Sequence, residues 1–476
     1  MVTRRRFFGT AAAAAAGAFA TRAAGQDRQP RAQPGPAPEP AKHARGKIFA
    51  NATFDYTART ALGSSYYGCA NPGKVFAIAS AIQDGDYESG YKAFLDAGSE
   101  ARAWAEEAAA KGRRVSAREA YLWSANYLYA SLYFLDGADP DRMLPTWKQY
   151  EHCWTAAAAL SRSAIERVEI PYEGTTLTGW FFRAAEAKQR RPLVILNNGS
   201  DASELAMLVA GGTAGNARGY NCLTFNGPGQ GDSLWLKHMY FRPDWEKAIT
   251  PVVDFAVVHP EVDAKRIALV GISQGGYWVP RALAFEHRIA AGVADPGVWN
   301  VGRAWTRRLP QAMMALLADG EKERFDEYLT TALRHSPEAK ATLAFRMRPY
   351  GTHSYYEAFR AVQQYNLKDV AGQIQCPMLI TNPEAEQFFP GQASELCDML
   401  RCQTTLVDFT ADQGAQLHCE VNAPGYRDLR IYNWLDPTLK IRGSQLAAAS
   451  SARISTASSI STETKREQPG WGMVTP

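Results

Sequence analysis

The chain has 476 residues, more than the about 100–200 residues of a typical domain, so we expect two packed units plus tails. Hydrophobic residues make up 46% and charged residues 21%, a composition near the soluble globular average that excludes a disordered or membrane-embedded chain. The formal net charge of +4 matches the four arginines of the first 24 residues. The rest of the chain is near neutral and shows no basic stripe interleaved with aromatics, so we predict no nucleic-acid partner.

Residues 1–24 have the features of an export signal. Paired arginines at Arg4 and Arg5 precede Phe7, and an alanine-rich apolar stretch follows. This pattern predicts a cleaved twin-arginine signal peptide and a periplasmic or secreted protein. The alternative, a membrane-anchoring helix, is disfavoured because the apolar run is well below the about 20 residues that a spanning helix needs. The proline-rich residues 25–47 are predicted to be a linker.

Residues 48–165 are predicted to form a helical N-terminal cap domain. Ser116 and Glu119 have the spacing of a capping box at the start of a helix. Apolar and aromatic residues then recur at helical spacing, which favours packing over a ligand cage. They are Tyr121, Trp123, Tyr127, Leu128, Leu132 and Leu135.

From residue 166 the pattern changes to strands, beginning with a hairpin around Glu173 and Gly174. Short apolar runs then alternate with helical stretches, which predicts an α/β fold with a mostly parallel sheet and helices on both faces. The runs begin at Leu193, Cys222, Ile267, Ala290, Met378 and Thr405. We assign the core to 166–296 and 372–441, a helical lid insertion to 297–371, and a disordered tail to 442–476.

The strongest motif is Gly271-Ile272-Ser273-Gln274-Gly275, which lies between a predicted strand and a predicted helix. A serine nucleophile on such a tight turn has a strained backbone and needs small neighbours two residues away. Ser273 is therefore the candidate nucleophile, with Gly271 and Gly275 as motif glycines. The Gln274 amide would lie at the helix N-terminus, where it could bind a developing oxyanion.

A second oxyanion donor is expected in the loop after an earlier strand. Asn197 to Asp201 follow the strand that begins at Leu193, and Gly199 would let the backbone approach a substrate closely. We predict the Ser200 amide as this donor. A glycine-rich turn at 226–233 is expected to shape the pocket.

The order serine, acid, histidine along the chain requires a base near the C-terminus. His418 follows the predicted last strand and is the candidate base. Three carboxylates remain open as the acid: Glu386 is favoured, with Glu384 and Asp295 as alternatives. Its role would be to orient the imidazole and stabilise its charged form.

With these residues placed, the chain resembles the branch of α/β-hydrolases with a helical N-terminal cap domain, which includes 2,6-dihydropseudooxynicotine hydrolase and the fungal polyketide-shortening hydrolases of pigment biosynthesis. The resemblance covers about 48–440. It matches Ser273 and His418 to the family nucleophile and base. The family acid stands four residues before a proline, here Pro390, which implies Glu386, although aspartate is commoner there. The resemblance also implies that the N-terminal helices cap the active site and that homodimers are common.

These features predict a serine hydrolase that needs no metal or other cofactor and acts on a small molecule. The bond cleaved would be an ester or lactone, or a C–C bond next to a ketone in an aromatic or polyketide-like substrate. A peptidase is the alternative, but we find no charged anchor for a free amino terminus. A non-catalytic binding protein on the same scaffold is disfavoured because the whole residue set is present.

Overall fold

The computed structural model describes residues 46–161, 164–184 and 189–441. The predicted signal peptide, the predicted linker up to residue 45 and the predicted tail lie outside the described residues. Within the described part of the chain, no helix is both long and apolar enough to cross a membrane.

Before the sheet, the described chain forms five α-helices, whose starts are set partly by side-chain caps. Asn51 accepts hydrogen bonds from the amides of Thr53 and Phe54, and Asp86 accepts from those of Glu88 and Ser89. The helices are α1 Ala52–Gly63, α2 Pro72–Ser80, α3 Tyr87–Ala110, α4 Arg114–Leu132 and α5 Met143–Ala159.

The predicted capping box at Ser116 and Glu119 is wrong. Helix α4 already begins at Arg114, and its N-terminal flanking residue, Arg113, makes no side-chain cap. Gly112 follows the end of α3 and adopts a left-handed conformation (φ 67°), which terminates that helix. The next helix, α4, can therefore begin at Arg114, before Ser116. Ser116 lies inside the first turn instead of capping it.

The predicted hairpin is confirmed. Strands β1 Ile165–Tyr172 and β2 Thr175–Phe182 pair antiparallel with Tyr172 opposite Thr175. Glu173 and Gly174 between them both have positive φ, at 39° and 79°. Such a two-residue turn matches the right-handed twist of the two strands.

The described strands form one eight-stranded sheet in the order β1-β2-β4-β3-β5-β6-β7-β8. Pairing is antiparallel at β1–β2 and β2–β4 and parallel throughout the rest, so the predicted fold class is confirmed. The remaining strands are β3 Arg191–Asn197, β4 Asn221–Phe225, β5 Val262–Ile272, β6 Ala291–Asp295, β7 Met378–Pro383 and β8 Thr404–Phe409. The core helices are α6 Glu204–Met207, α7 Thr213–Ala217, α8 Gly231–Trp235, α9 Glu246–Val258, α10 Gly275–Leu283, α16 Gln392–Met399 and α17 Pro424–Thr438.

Alternate residues of β3 enter different hydrophobic clusters on the two faces of the sheet. Val194 and Leu196 pack in the cluster that contains the N-terminal helices, whereas Leu193 and Ile195 pack in the cluster that contains α9 and α10. Trp154 of α5 meets Trp180 of β2 edge to face, with ring centroids 5.3 Å apart. The N-terminal helices and the sheet therefore share one buried core.

Between β6 and β7 the chain forms a helical insertion with a small hydrophobic cluster of its own. The cluster is built from Met313, Leu317, Phe325, Leu329 and Phe359. The insertion helices are α11 Val301–Thr306, α12 Gln311–Asp319, α13 Lys322–Leu333, α14 Pro337–Met347 and α15 Tyr355–Val362.

Candidate active site

Ser273 lies on the sharp turn that joins the end of β5 to the start of α10. Its backbone is left-handed, with φ 58°, and its amide donates to the Asp295 carbonyl at 2.6 Å. A Cβ on Gly271 would lie 2.2 Å from the Gly275 carbonyl oxygen, so no side chain fits there. The strained turn projects the Ser273 hydroxyl from the carboxyl edge of the sheet, as the motif predicts.

The structure brings Ser273, His418 and Glu386 together in a line of hydrogen bonds. His418 Nε2 lies 2.8 Å from Ser273 Oγ, and His418 Nδ1 lies 2.7 Å from Glu386 Oε2. The other carboxylate oxygen, Oε1, accepts from the amides of Phe388 at 2.7 Å and Phe389 at 2.9 Å. Both oxygens of Glu386 are therefore engaged, and the imidazole bridges acid and serine.

This arrangement favours a charged Glu386 beside His418. Burial alone would raise the pKa of Glu386, but the nearby imidazole and the amides of Phe388 and Phe389 lower it. For His418, burial alone would lower the pKa, but the charge and hydrogen bond of Glu386 raise it. The pair is thus suited to accept a proton on the imidazole and to stabilise the resulting charge.

The two alternative acids have other partners. Glu384 is exposed, and its Oε2 accepts from the Ala411 amide at 2.8 Å. Asp295 is fully buried, and its Oδ1 accepts from the Thr381 hydroxyl at 2.8 Å. Of the three carboxylates that the sequence left open, Glu386 is the one hydrogen-bonded to His418.

Asp295 belongs to a cluster of buried ionisable side chains next to the loop that carries His418. The other members are Glu420 and Arg427. Burial raises the pKa of Glu420 well above its usual 4.5, and the adjacent Asp295 carboxyl raises it further. Glu420 therefore favours its protonated form beside Asp295. Arg427 Nη1 donates to the Cys419 carbonyl at 3.2 Å, which ties α17 to this loop.

The predicted oxyanion donors lie on two loops that meet at Ser273. A Cβ on Gly199 would lie 2.7 Å from the Ser273 Cβ, so the loop that carries Ser200 approaches the serine closely. Gln230 of the glycine-rich turn anchors this loop, since its Nε2 donates to the carbonyls of Asn198 at 3.0 Å and Gly199 at 2.7 Å. Sequence reasoning gave Gln230 no separate role.

Ser273 and His418 open into a cavity of about 230 Å³. Its walls come from the N-terminal helices, the sheet loops and the insertion, and most of its lining side chains are apolar or aromatic. The aromatic lining residues are Tyr56, Tyr129, Tyr133, Trp235, Phe241, Trp305, Phe345, Tyr350, Phe388 and Phe389. Among the described residues, no group of three or more His, Cys, Asp or Glu could hold a metal ion.

Several cavity residues were missed by sequence reasoning. The Asp201 carbonyl accepts from the Tyr129 hydroxyl at 2.9 Å and the Tyr133 hydroxyl at 3.0 Å, both on or just after α4. The Tyr56 hydroxyl donates to the His418 carbonyl at 3.3 Å. Arg346, from the insertion, lines the same cavity. The aromatic spacing of α4 was the available signal, but that spacing favours core packing.

The chain is similar to known proteins over most of its length. Over 434 residues it is 30% identical to the α/β-hydrolase psoB of Aspergillus fumigatus, and the match covers 85% of this chain and 97% of the relative. The chain belongs to the α/β-hydrolase family. This hydrolase is also 28% identical over 417 residues to the 20-hydroxy-prefusarin hydrolase FUS2 of Gibberella moniliformis, covering 83% of this chain and 99% of the relative.

The solved structure of a 2,6-dihydroxy-pseudo-oxynicotine hydrolase matches with a TM-score of 0.62 at 18% identity. It covers 79% of this hydrolase and 95% of that chain, and it shows the shared fold. No protein-family model matches the chain. The resemblance expected from the sequence is confirmed.

Proposed function

We propose that this hydrolase is a serine hydrolase with Ser273 as nucleophile, His418 as general base and Glu386 as the orienting acid. The observation that carries the proposal is the continuous hydrogen-bonded line from Ser273 Oγ through the imidazole to Glu386, at 2.8 and 2.7 Å. Serine is a weak nucleophile at its ordinary pKa, and a positioned imidazole is the group that activates it.

In the first half-reaction, the Ser273 oxygen attacks the substrate carbonyl carbon while His418 Nε2 takes the hydroxyl proton. The carbonyl oxygen becomes an oxyanion, for which the amides of Gln274 and Ser200 are the proposed donors. The intermediate then collapses and expels an alcohol or, for a ketone C–C bond, an enolate carbon, and the imidazolium returns its proton to that leaving group. Water repeats the sequence on the acyl-enzyme and releases the acid.

The cavity supports an aromatic or polyketide-like substrate. Its lining is rich in tyrosine, phenylalanine and tryptophan, which provide flat apolar surface for rings or a conjugated chain. The relative FUS2 is named for 20-hydroxy-prefusarin, and this name supports a small-molecule substrate of comparable chemistry. Esters or lactones and C–C bonds next to a ketone are the two bond types proposed.

The test is turnover of aryl esters, aryl 1,3-diketones and peptide amides by the purified protein, with Ser273→Ala as the blank. Serine-dependent cleavage of diketones well above esters would identify a C–C hydrolase, and ester turnover alone an esterase. Preferential amide cleavage would point to the peptidase instead. Wild-type-like turnover by Ser273→Ala would overturn the mechanism.

A further inference from the structure

Among the described residues, three arginines line the candidate active-site cavity, and two of them are neutralised by partners. Arg348 pairs with Asp136 and lies over the Trp235 ring, 5.4 Å from its centroid. Arg427 pairs with Asp428 at 2.9 Å and also donates to two backbone carbonyls. Their charges are compensated within the protein.

The third arginine, Arg346, lies near the end of α14 and is half-buried. Within the described part of the chain its guanidinium has no hydrogen-bond or ion-pair partner, and the neighbours that affect it act through space only. Asp201 is the one acidic residue among the cavity-lining residues, but its Oδ1 accepts from the Ser200 hydroxyl at 3.0 Å.

The surroundings of Arg346 disfavour an uncompensated positive charge. Burial and the nearby Arg307 and Arg308 lower its pKa, yet an arginine side chain stays protonated in proteins. A cation in an aromatic cavity without a partner costs free energy, which a bound anion would recover.

We propose that Arg346 binds a carboxylate group of the substrate. The substrate is then an aromatic or polyketide-like acyl compound that carries a carboxylate away from the bond that is cleaved. The proposal rests on the proposed serine-hydrolase function and names the substrate for that site. One free guanidinium matches the single charge and the planar geometry of a carboxylate, with which it forms paired hydrogen bonds. The aromatic walls would contact the rest of the acyl chain.

The experiment compares two aryl esters with the same acyl chain, one ending in a free carboxylate and the other in its methyl ester, and follows release of the aryl alcohol. The measured quantity is the ratio of kcat/KM for the acid to kcat/KM for the methyl ester, in the wild type, Arg346→Gln and Arg346→Lys. Arg334→Gln is the matched control, because Arg334 is exposed in the same insertion and is not a lining residue.

We expect the wild type to prefer the acid and Arg346→Gln to lower the ratio by about 10- to 100-fold, the range for a lost hydrogen bond to a charged group. Arg346→Lys should retain part of the preference, and Arg334→Gln should leave the ratio and the overall rate unchanged. An unchanged ratio in Arg346→Gln would overturn the carboxylate site while leaving the hydrolase mechanism intact.

A second measurement separates this proposal from the catalytic one. Ser273→Ala protein should bind the carboxylate ester more tightly than its methyl ester in calorimetry, and the double variant with Arg346→Gln should lose that difference. Equal binding of both esters by Ser273→Ala would also overturn the carboxylate site. Turnover by Ser273→Ala would instead contradict the proposed function.

Discussion

The Glu386 carboxylate is positioned by hydrogen bonds from the backbone as well as by its hydrogen bond to His418. One carboxylate oxygen bonds to the imidazole, and the other accepts two successive amides, those of Phe388 and Phe389. The loop therefore presents a single oxygen to His418 Nδ1, which selects the tautomer that carries its proton on that nitrogen. The free Nε2 lone pair then faces the Ser273 hydroxyl.

We expect Glu386→Gln to lower kcat by about 10⁴-fold, the effect of replacing a triad acid by its amide, because the amide no longer selects this tautomer. Steady-state hydrolysis of an aryl ester measures it. Glu384→Gln is the matched control and should stay within about twofold of the wild type, since surface changes away from special contacts have small effects. A larger loss in Glu384→Gln than in Glu386→Gln would move the acid to Glu384.

The pH dependence should report the raised pKa of His418. As the proposed general base, His418 works only when neutral, so kcat/KM should rise with pH through that pKa, with a midpoint above the usual 6.5. Removing the Glu386 charge removes the main group that raises the pKa, so the residual activity of Glu386→Gln should have its midpoint at lower pH. A rate profile that does not move between the two proteins would argue against this coupling.

At the scale of elements, the loop after β8 is held in place by a buried polar group. Cys419 and Glu420 both have positive φ, at 54° and 47°, which costs backbone energy for residues other than glycine. The Arg427 hydrogen bond to the Cys419 carbonyl and the contact of the Cys419 thiol with the Asp295 carbonyl at 3.5 Å offset part of that strain. His418 therefore depends on α17 and β6 for its position.

Glu420→Gln should make stability less sensitive to pH. The folded state raises the pKa of Glu420, so it keeps a proton that the unfolded chain releases above about 4.5. The wild-type free energy of unfolding should then fall as the pH rises above that value, by at most about 1.4 kcal/mol per pH unit from this group. The amide does not titrate, so this contribution is absent from the variant.

Urea unfolding at pH 5 and pH 8 measures the effect, and the exposed Glu323→Gln serves as control. The stability of wild type minus that of Glu420→Gln should be lower at pH 8 than at pH 5. Parallel pH profiles for the two proteins would show that Glu420 is ionised in the folded state.

On the scale of the whole molecule, the N-terminal helices and the sheet are expected to unfold together because they share a hydrophobic cluster. Trp154 is fully buried between them and contacts both Trp180 and Phe182. Trp154→Ala should cost about 3–5 kcal/mol and keep a single unfolding transition. Trp104→Ala, at a residue 46% exposed, should cost less than about 0.5 kcal/mol. Two separate transitions by circular dichroism and fluorescence would contradict the shared core.

Export through the twin-arginine route stays a prediction, as does the homodimer that the family resemblance implies. Replacing Arg4 and Arg5 by lysine keeps the charge of the leader but removes the arginine pair. We expect the wild-type chain in the periplasmic fraction or the medium, and the double variant retained inside the cell as the uncleaved precursor. Equal distribution of the two proteins would exclude this route.

The sequence by itself determined the features that depend on neighbouring residues. The hairpin at Glu173 and Gly174, the alternation of strands and helices, and the strand-turn-helix setting of Ser273 are all encoded within short windows. Chain order also placed the histidine after the last strand. The capping-box prediction at Ser116 was wrong because the left-handed Gly112, four residues earlier, separates α3 from α4, and α4 already begins at Arg114.

Only the tertiary structure decided which distant groups meet. Reasoning from the residues left three carboxylates open, and the folded chain brings Glu386 to 2.7 Å from His418 while Glu384 and Asp295 bond elsewhere. The position of Arg346 in the cavity, with no partner among the described residues, is equally invisible in sequence. The physical reason is that hydrogen bonds and burial depend on distances in space, and these contacts join segments that the chain separates by tens to hundreds of residues.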